Sequence, residues 1–173
     1  MNIDLRNIIR DVPNFPQEGI LFKDIAPVLH NPEYLRCAVD MMADALKDIE
    51  FDLVAGPESR GFIFGVPVAV ALNKGFIPVR KAGKLPYKTV KKAYDLEYGS
   101  AEIEIHADAI KKGDKVVVVD DLLATGGTSK ALCELIESVG GEVVKLVFLI
   151  ELDGLNGRKF LSDRYDVKTI VTY

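Results

Sequence analysis

The run of four valines at residues 116–119 constrains this chain more than any other stretch. β-Branched residues with no polar alternation suit a strand buried on both faces, as in a parallel sheet covered by helices. Asp120 and Asp121 follow directly, where such a strand should end. A loop then closes in Thr125-Gly126-Gly127-Thr128. Beyond it, Ala131, Leu132, Leu135, Ile136 and Val139 recur at helical spacing. Strand, acidic tip, glycine loop and helix in succession are how an open α/β sheet presents a ligand at the carboxyl end of a strand.

The rest of the chain repeats the alternation. Residues 3–10 have the apolar spacing of a short amphipathic helix, residues 11–19 read as an irregular loop, and residues 20–25 as a small strand or turn. Asn31 and Pro32 form an N-cap and first-turn pair. Tyr34, Ala38, Met41, Met42, Ala45, Leu46 and Ile49 then line one helical face to about residue 49. Residues 51–55 read as a strand ended by Gly56-Pro57, and residues 62–72 as a helix. Residues 76–80 read as another strand, and Pro78 points to a sheet edge or strand end. Alternation on either side of Gly99-Ser100 predicts a β-hairpin. Gly140-Gly141 ends the helix begun near Thr128. Strands at 143–150 and 167–171 flank a short helix at 158–163. The expected fold class is α/β, a mostly parallel twisted sheet flanked by helices on both faces, in a single domain of 173 residues.

Composition excludes some partners. The net charge of -4, from 22 basic and 26 acidic residues, argues against broad binding to nucleic acid or an anionic membrane. Cys37 and Cys133 sit within apolar helical patterns and read as small core residues of a reducing compartment. No apolar run approaches the ~20 residues of a membrane span. The first six residues are too charged for a signal sequence, so a cytoplasmic location is expected.

The chemistry of the central stretch is that of a monophosphate cradle. Gly126 and Gly127 allow backbone amides to point inward, Thr125, Thr128 and Ser129 add hydroxyls, and the helix start adds partial positive charge. Neither GxxxxGK[ST] nor GxGxxG is present, so support for nucleotide hydrolysis or dinucleotide binding is lost. Adjacent carboxylates suit vicinal hydroxyls, as on a ribose, or a divalent cation; the ordinary alternative is turn and N-cap chemistry. Glu58-Ser59-Arg60-Gly61 makes a second polar tip between strand and helix, able to bind an anion, although an ordinary surface arginine fits too. Residues 80–92 carry six basic side chains and no acid: a basic lid over an anionic ligand, or a solvated loop. Leu21 and Phe22 are either core or an apolar wall for a flat ligand.

Residues 117–128, Val-Val-Val-Asp-Asp-Leu-Leu-Ala-Thr-Gly-Gly-Thr, resemble the ribose-phosphate motif of the type I phosphoribosyltransferases. The resemblance extends, in the family's order, to its adenine-specific branch. It runs through Asn14-Phe15-Pro16, Phe22-Lys23-Asp24-Ile25, Ser59-Arg60-Gly61-Phe62, Arg80-Lys81, Gly83-Lys84-Leu85-Pro86 and Leu96-Glu97-Tyr98-Gly99. It implies transfer of ribose 5-phosphate from phosphoribosyl pyrophosphate to adenine, giving AMP and pyrophosphate in purine salvage, with Mg2+ bound mainly through substrate and water and no protein metal ligand. On that resemblance Asp120, Asp121, Ala124, Thr125, Gly126, Gly127 and Thr128 hold the ribose 5-phosphate. Ser59, Arg60, Arg80, Lys81 and Lys84 bind pyrophosphate; Leu21, Phe22 and the backbone of Lys23 bind adenine, with Leu152 or Leu155 closing the other face. Glu97 is the general base or proton shuttle, with Tyr98 beside it. From spacing alone Glu97 is only a solvated hairpin residue; the resemblance alone promotes it. The resemblance further implies a homodimer, a hood formed by residues 1–30 and the C-terminal part, and a flexible catalytic loop over about 81–105. Two rivals are a phosphoribosyltransferase for another base, and a purine-sensing regulator on the same fold. The second would need a DNA-binding module, for which 51 residues before the Asp52 strand leave little room.

Overall fold

The computed structural model describes residues 3–95 and 100–173. The chain divides into two compact units, Met1–Met41 and Met42–Tyr173.

In the first unit, β1 (Arg10–Pro13) pairs antiparallel with β2 (Leu21–Asp24). Lys23, opposite Asp11, holds it in an ion pair of 2.5 Å. The helix expected over 3–10 is a single 3-10 turn, Leu5–Asn7. Asp4 captures the Arg6 amide and the Asn7 side chain, and Arg10 is drawn into the strand pair, so no second turn forms. The loop expected over 11–19 accordingly begins later, after Pro13. A short helix, α1 (Ala26–His30), was not legible in the sequence; Asp24 accepts from the Ala26 amide at its start. The helix α2 (Pro32–Asp44) begins as expected, with Asn31 Oδ1 accepting from Glu33 and Tyr34. It stops five residues early, at Asp44 rather than 49, where i→i+3 bonds from Leu46 and Ile49 tighten the chain. Met41 leaves the expected stripe and is 40% exposed.

The second unit runs β3 (Leu53–Pro57), α3 (Arg60–Ala71), β4 (Gly75–Lys81), β5 (Thr89–Asp95), β6 (Ser100–His106), β7 (Lys115–Leu123), α4 (Gly127–Ser138), β8 (Glu142–Glu151), α5 (Gly157–Ser162) and β9 (Val167–Thr172). Its seven strands lie in the order β5-β6-β4-β3-β7-β8-β9. β4-β3-β7-β8-β9 are parallel, and the β5–β6 hairpin joins antiparallel to β4. The mostly parallel sheet flanked by helices is therefore what forms. All four valines of 116–119 are buried. Val116 and Val118 pack in one cluster with Ala131, Leu132, Leu135 and Ile136 of α4. Alternation turns Val117 and Val119 to the opposite face. Lys91 and Lys92, read as part of a loop, lie in β5, whose seven residues pair with β6. Leu96, Glu97, Tyr98 and Gly99 lie outside the described residues, and Ser100, expected in the turn of the hairpin, is the first residue of β6.

Two expectations about strand ends need correction. Pro78 is on neither an edge nor a strand end: β4 lies between β3 and β6. β6 joins it only at Arg80 and Lys81, so the missing amide of Pro78 falls where that flank carries no ladder. Nor does β7 stop at Asp120-Asp121. It continues to Leu123 because β8 supports it as far as Glu151. What ends is its pairing with β3, at Val118↔Ala55. From β3 the chain winds through α3 to β4; from β7 it winds through α4 to β8, in the other direction. The strands part where these windings diverge, which is the switch point of an open α/β sheet.

At the far end of β8, Glu151 is buried and receives both Nε and Nη2 of Arg158, at 2.8 and 2.6 Å. Arg158 also donates to the Val167 carbonyl and Thr169 Oγ1, which ties α5 to β9. Arg158 holds the Glu151 carboxyl below its ordinary range. Its stabilising contribution is therefore present above the unfolded-state value and is lost as pH falls through the lowered folded one. Arg158→Ala is expected to cost roughly 2–3 kcal/mol, less than for a fully buried pair because water reaches the guanidinium. Urea melts at pH 7 and in mild acid check this: the difference between variant and parent should shrink in acid.

Candidate active site

Two strand tips meet at the parting of β3 and β7. From β3 come Glu58, Ser59 and Arg60, leading into α3; from β7 come Asp120 and Asp121, followed by the loop into α4. Between them is a cavity of about 360 Å³ lined by both tips and by residues 124–129. The Glu58–Ser59 peptide bond is cis.

Asp121 is 3% exposed, with Oδ2 at 2.9 Å from Arg60 Nε. Its amide donates to Asp120 Oδ1 at 2.8 Å. Burial pushes the Asp120 carboxyl well above its ordinary range, and the charge of Asp121 adds to this. Burial also raises Asp121, against the pull of Arg60. The pair therefore takes up its first proton unusually easily. Such a site favours a ligand that brings hydroxyl donors or positive charge to the two carboxylates.

The opposite wall favours the reverse charge. Gly126 has φ +86°, a conformation natural to glycine, and α4 starts at the next residue. The first helical amides have no acceptor within the helix and carry partial positive charge. The first turn closes through the Lys130 amide on the Gly126 carbonyl, at 2.9 Å. The loop is backed by α5: a Cβ on Gly157 would stand 2.1 Å from the Ala124 carbonyl oxygen. Only glycine allows this approach, and the Glu151–Arg158 pair holds α5 in place behind it. Two walls of opposite preference, one for hydroxyls and one for a small anion, fit a sugar phosphate.

Further charged groups surround the β3 tip. Glu58 Oε1 accepts from the Lys81 amide at 2.7 Å, and Arg80 Nη2 lies 3.3 Å from Oε2. On the other side, Thr128 Oγ1 donates to Tyr94 of the hairpin stem at 3.4 Å, and Lys92 pairs with Glu134 of α4 at 2.9 Å.

Comparison with known proteins decides the family. Residues 25–172 match the phosphoribosyl transferase domain family. The chain is 57% identical over 169 residues to an adenine phosphoribosyltransferase of Agathobacter rectalis, covering 98% of this chain and 97% of that protein. The crystal structure of adenine phosphoribosyltransferase from Thermoanaerobacter pseudethanolicus matches with a TM-score of 0.94 at 50% identity, over 97% of each chain. That of the Saccharomyces cerevisiae enzyme, complexed with an imino-altritol bisphosphate and adenine, matches with a TM-score of 0.89 at 42% identity, over 96% of each. The chain belongs to the adenine phosphoribosyltransferases.

Of the residues that resemblance to this family marks out, the cavity brings together Ser59, Arg60, Asp120, Asp121, Ala124, Thr125, Gly126, Gly127 and Thr128. Arg80 and Lys81 do not line it but reach its rim through Glu58, and Lys84 joins them through its carbonyl, which accepts from Arg80 Nη1 at 3.1 Å. Leu21, Phe22 and Lys23 belong to the first unit, where Leu21 is 48% exposed and Lys23 is buried. Leu155 is also 48% exposed, whereas Leu152 is half-buried. Glu97 and Tyr98 lie outside the described residues. Sequence reasoning missed the anchoring role of Glu58 and the backing role of Gly157. The first adjoined Ser59-Arg60 and could have been suspected; for the second there was no signal, since its partner is 33 residues away in the chain.

Gly157→Ala is expected to weaken binding of ribose 5-phosphate at least about tenfold, by displacing the Ala124 carbonyl. Gly154→Ala, with no atom within 4 Å of the added Cβ, should leave it unchanged. Titration calorimetry on both variants checks this.

Proposed function

We infer that this chain transfers the phosphoribosyl group of phosphoribosyl pyrophosphate (PRPP) to adenine, forming AMP and pyrophosphate, as a pentosyltransferase of purine salvage. The observation that carries the reading is the cavity itself. One wall suits ribose hydroxyls and the other a phosphate, on a chain that shares more than half its residues with an adenine phosphoribosyltransferase.

The 5′-phosphate sits in the loop of Ala124, Thr125, Gly126, Gly127 and Thr128, and the ribose hydroxyls donate to Asp120 and Asp121. As the bond from the ribose anomeric carbon to pyrophosphate breaks, positive charge grows on the sugar ring. The two carboxylates lie where they stabilise it, and the charge in turn reverses the burial that made them reluctant to ionise. Pyrophosphate leaves toward Ser59 and Arg60, with Arg80, Lys81 and Lys84 supplying further positive charge. Adenine is held by Leu21, Phe22 and the backbone of Lys23, whose ammonium is already engaged by Asp11. Ring nitrogen N9 forms the new bond to the anomeric carbon and gives its proton to Glu97, with Tyr98 alongside.

Mg2+ would be held mainly through the substrate and water, near Asp120 and Asp121, and would supply positive charge against the leaving pyrophosphate. Among the described residues no cluster of three or more His, Cys, Asp or Glu is arranged to hold a metal. The pair of half-buried Asp120 and buried Asp121 suits such an ion nearby. The domain works as one catalytic unit, with residues 1–30 and the C-terminal part as a hood and residues 81–105 as a closing loop that excludes water from the reactive ribosyl species. A homodimer is supported by α3, whose Val66 and Val70 are 42% and 74% exposed on an otherwise apolar helix. A cytoplasmic location agrees with two free cysteines and with the absence, among the described residues, of any helix long and apolar enough to cross a membrane.

Incubation with Mg2+, PRPP and each nucleobase in turn tests the specificity. AMP from adenine alone is expected; a nucleotide from hypoxanthine, xanthine or a pyrimidine instead would overturn it. Glu97→Ala is expected to lower kcat by ~10²–10⁴ while the Kd for PRPP stays near the parent value. An unchanged kcat in stopped assays would remove Glu97 from the mechanism.

A further inference from the structure

Two buried acids take no part in the reaction described above, Glu151 and Glu104. Glu151 is accounted for by Arg158. Glu104, in β6 and 1% exposed, is different, because what it binds is backbone. The cation paired with its Oε2, Lys91 Nζ, is 4.0 Å away. Its Oε1 accepts from the amides of Lys84 and Leu85, both at 2.9 Å. The Leu85 amide above all, with the Gly83 amide, the Thr89 hydroxyl and the Lys84 amide, holds the Glu104 carboxyl below its ordinary range despite its burial. Two successive amides donating to one carboxylate oxygen are an arrangement of the kind that elsewhere binds phosphate. Gly83, at φ +81°, makes the turn that allows it.

That turn carries Lys84, and its carbonyl accepts from Arg80 Nη1 at 3.1 Å. The other end of the guanidinium reaches Glu58. Arg80 Nε is buried and has no hydrogen-bond partner among the described residues. One carboxylate thus sets the backbone that sets two cations. Glu104 also stands opposite Arg80 across the β4–β6 ladder and opposite Lys91 across the hairpin stem. It joins the basic turn to the stem leading toward residues 96–99.

We propose that Glu104 is a positioning residue for the pyrophosphate end of the substrate, fixing the Gly83-Lys84-Leu85 turn so that Lys84 and Arg80 are presented in one geometry. The proposal rests on the reading of Arg80 and Lys84 as pyrophosphate-binding cations. Glu104→Gln keeps the shape and removes the charge that the amides of Lys84 and Leu85 converge on. Expected is a rise of about tenfold in the KM for PRPP with the KM for adenine within about twofold of the parent. The deciding measurement is a double-mutant cycle. On an Arg80→Ala/Lys84→Ala background, Glu104→Gln should add less than about twofold to the KM for PRPP, because the groups it positions are gone. Full additivity would mean that Glu104 supports only the general fold, and would overturn the proposal. If Arg80→Ala/Lys84→Ala alone leaves the KM for PRPP unchanged, the assignment of the cations fails and the proposal with it. That outcome is distinct from failure of Glu104 alone, in which the double variant weakens PRPP and Glu104→Gln does not. Should Glu104→Gln fold poorly, Gly83→Ala serves instead. Its added Cβ meets no atom within 4 Å, so only the backbone of the turn is strained. The same selective rise is expected, and an unchanged KM for PRPP in that variant would equally overturn the proposal.

Discussion

The structure of the catalytic unit turns on one event: β3 and β7 cease to pair after Val118 while β7 continues beside β8 to Leu123. Up to that point the two strands share a ladder, and their residues are core. Beyond it, β7 keeps its extended shape from one side only, and its other side is open for a ligand. Asp120 and Asp121 occupy this half-supported stretch. A carboxylate pair could not sit one turn earlier, among the buried valines, without unpaired charge in the core. Placed further on, in the loop, it would lose the rigidity that β8 provides. The parting follows from topology, because α3 and α4 lead away from neighbouring strands in opposite directions.

The same geometry explains how a chain of net charge -4 accommodates a substrate that carries many negative charges. The field of the net charge fades beyond the screening length of the salt, whereas the first amides of α4 and Arg60 act on whatever enters the cavity at contact range. Of the acids lining the cavity, Asp120 and Asp121 are made reluctant to ionise by burial, and Glu58 is engaged by Arg80 and the Lys81 amide. Together they oppose an incoming anion less than three exposed carboxylates would.

The strand, acid pair, glycine loop and α4 were legible because each rests on local chemistry. Four valines demand burial, and Gly126-Gly127 before helical spacing demands a turn into a helix. The Asn31 cap was legible for the same reason. What local reading could not supply was anything decided by a distant partner. Residues 3–10 have helical spacing, yet the pairing of Arg10 with Asp24 draws the chain into a strand. Pro78 carries the mark of an edge, yet lies inside the sheet because β6 begins its ladder two residues later. The end of β7 was misplaced because a pair of aspartates says nothing about which neighbour continues. In the site, the residues of the β7 tip and of the loop into α4 could be read as one contiguous stretch. Glu58, Glu104 and Gly157 could not, because each acts on a backbone segment far away in sequence.

Glu58, Glu104 and Glu151 share a principle that sequence motifs do not express. A loop that must bind an anion with its amides or its lysines cannot hold itself together through the same groups. Here the loops are held from behind. Glu58 takes the Lys81 amide, Glu104 takes the amides of residues 84 and 85, and Glu151 fixes Arg158 and with it the helix behind Ala124. In each case the carboxylate is engaged by donors of the segment it holds, so its charge is offset locally. The excess of acids in this chain is thus partly internal scaffolding. It sets the shape of an anion site while the donors left facing the cavity are amides, hydroxyls and guanidinium.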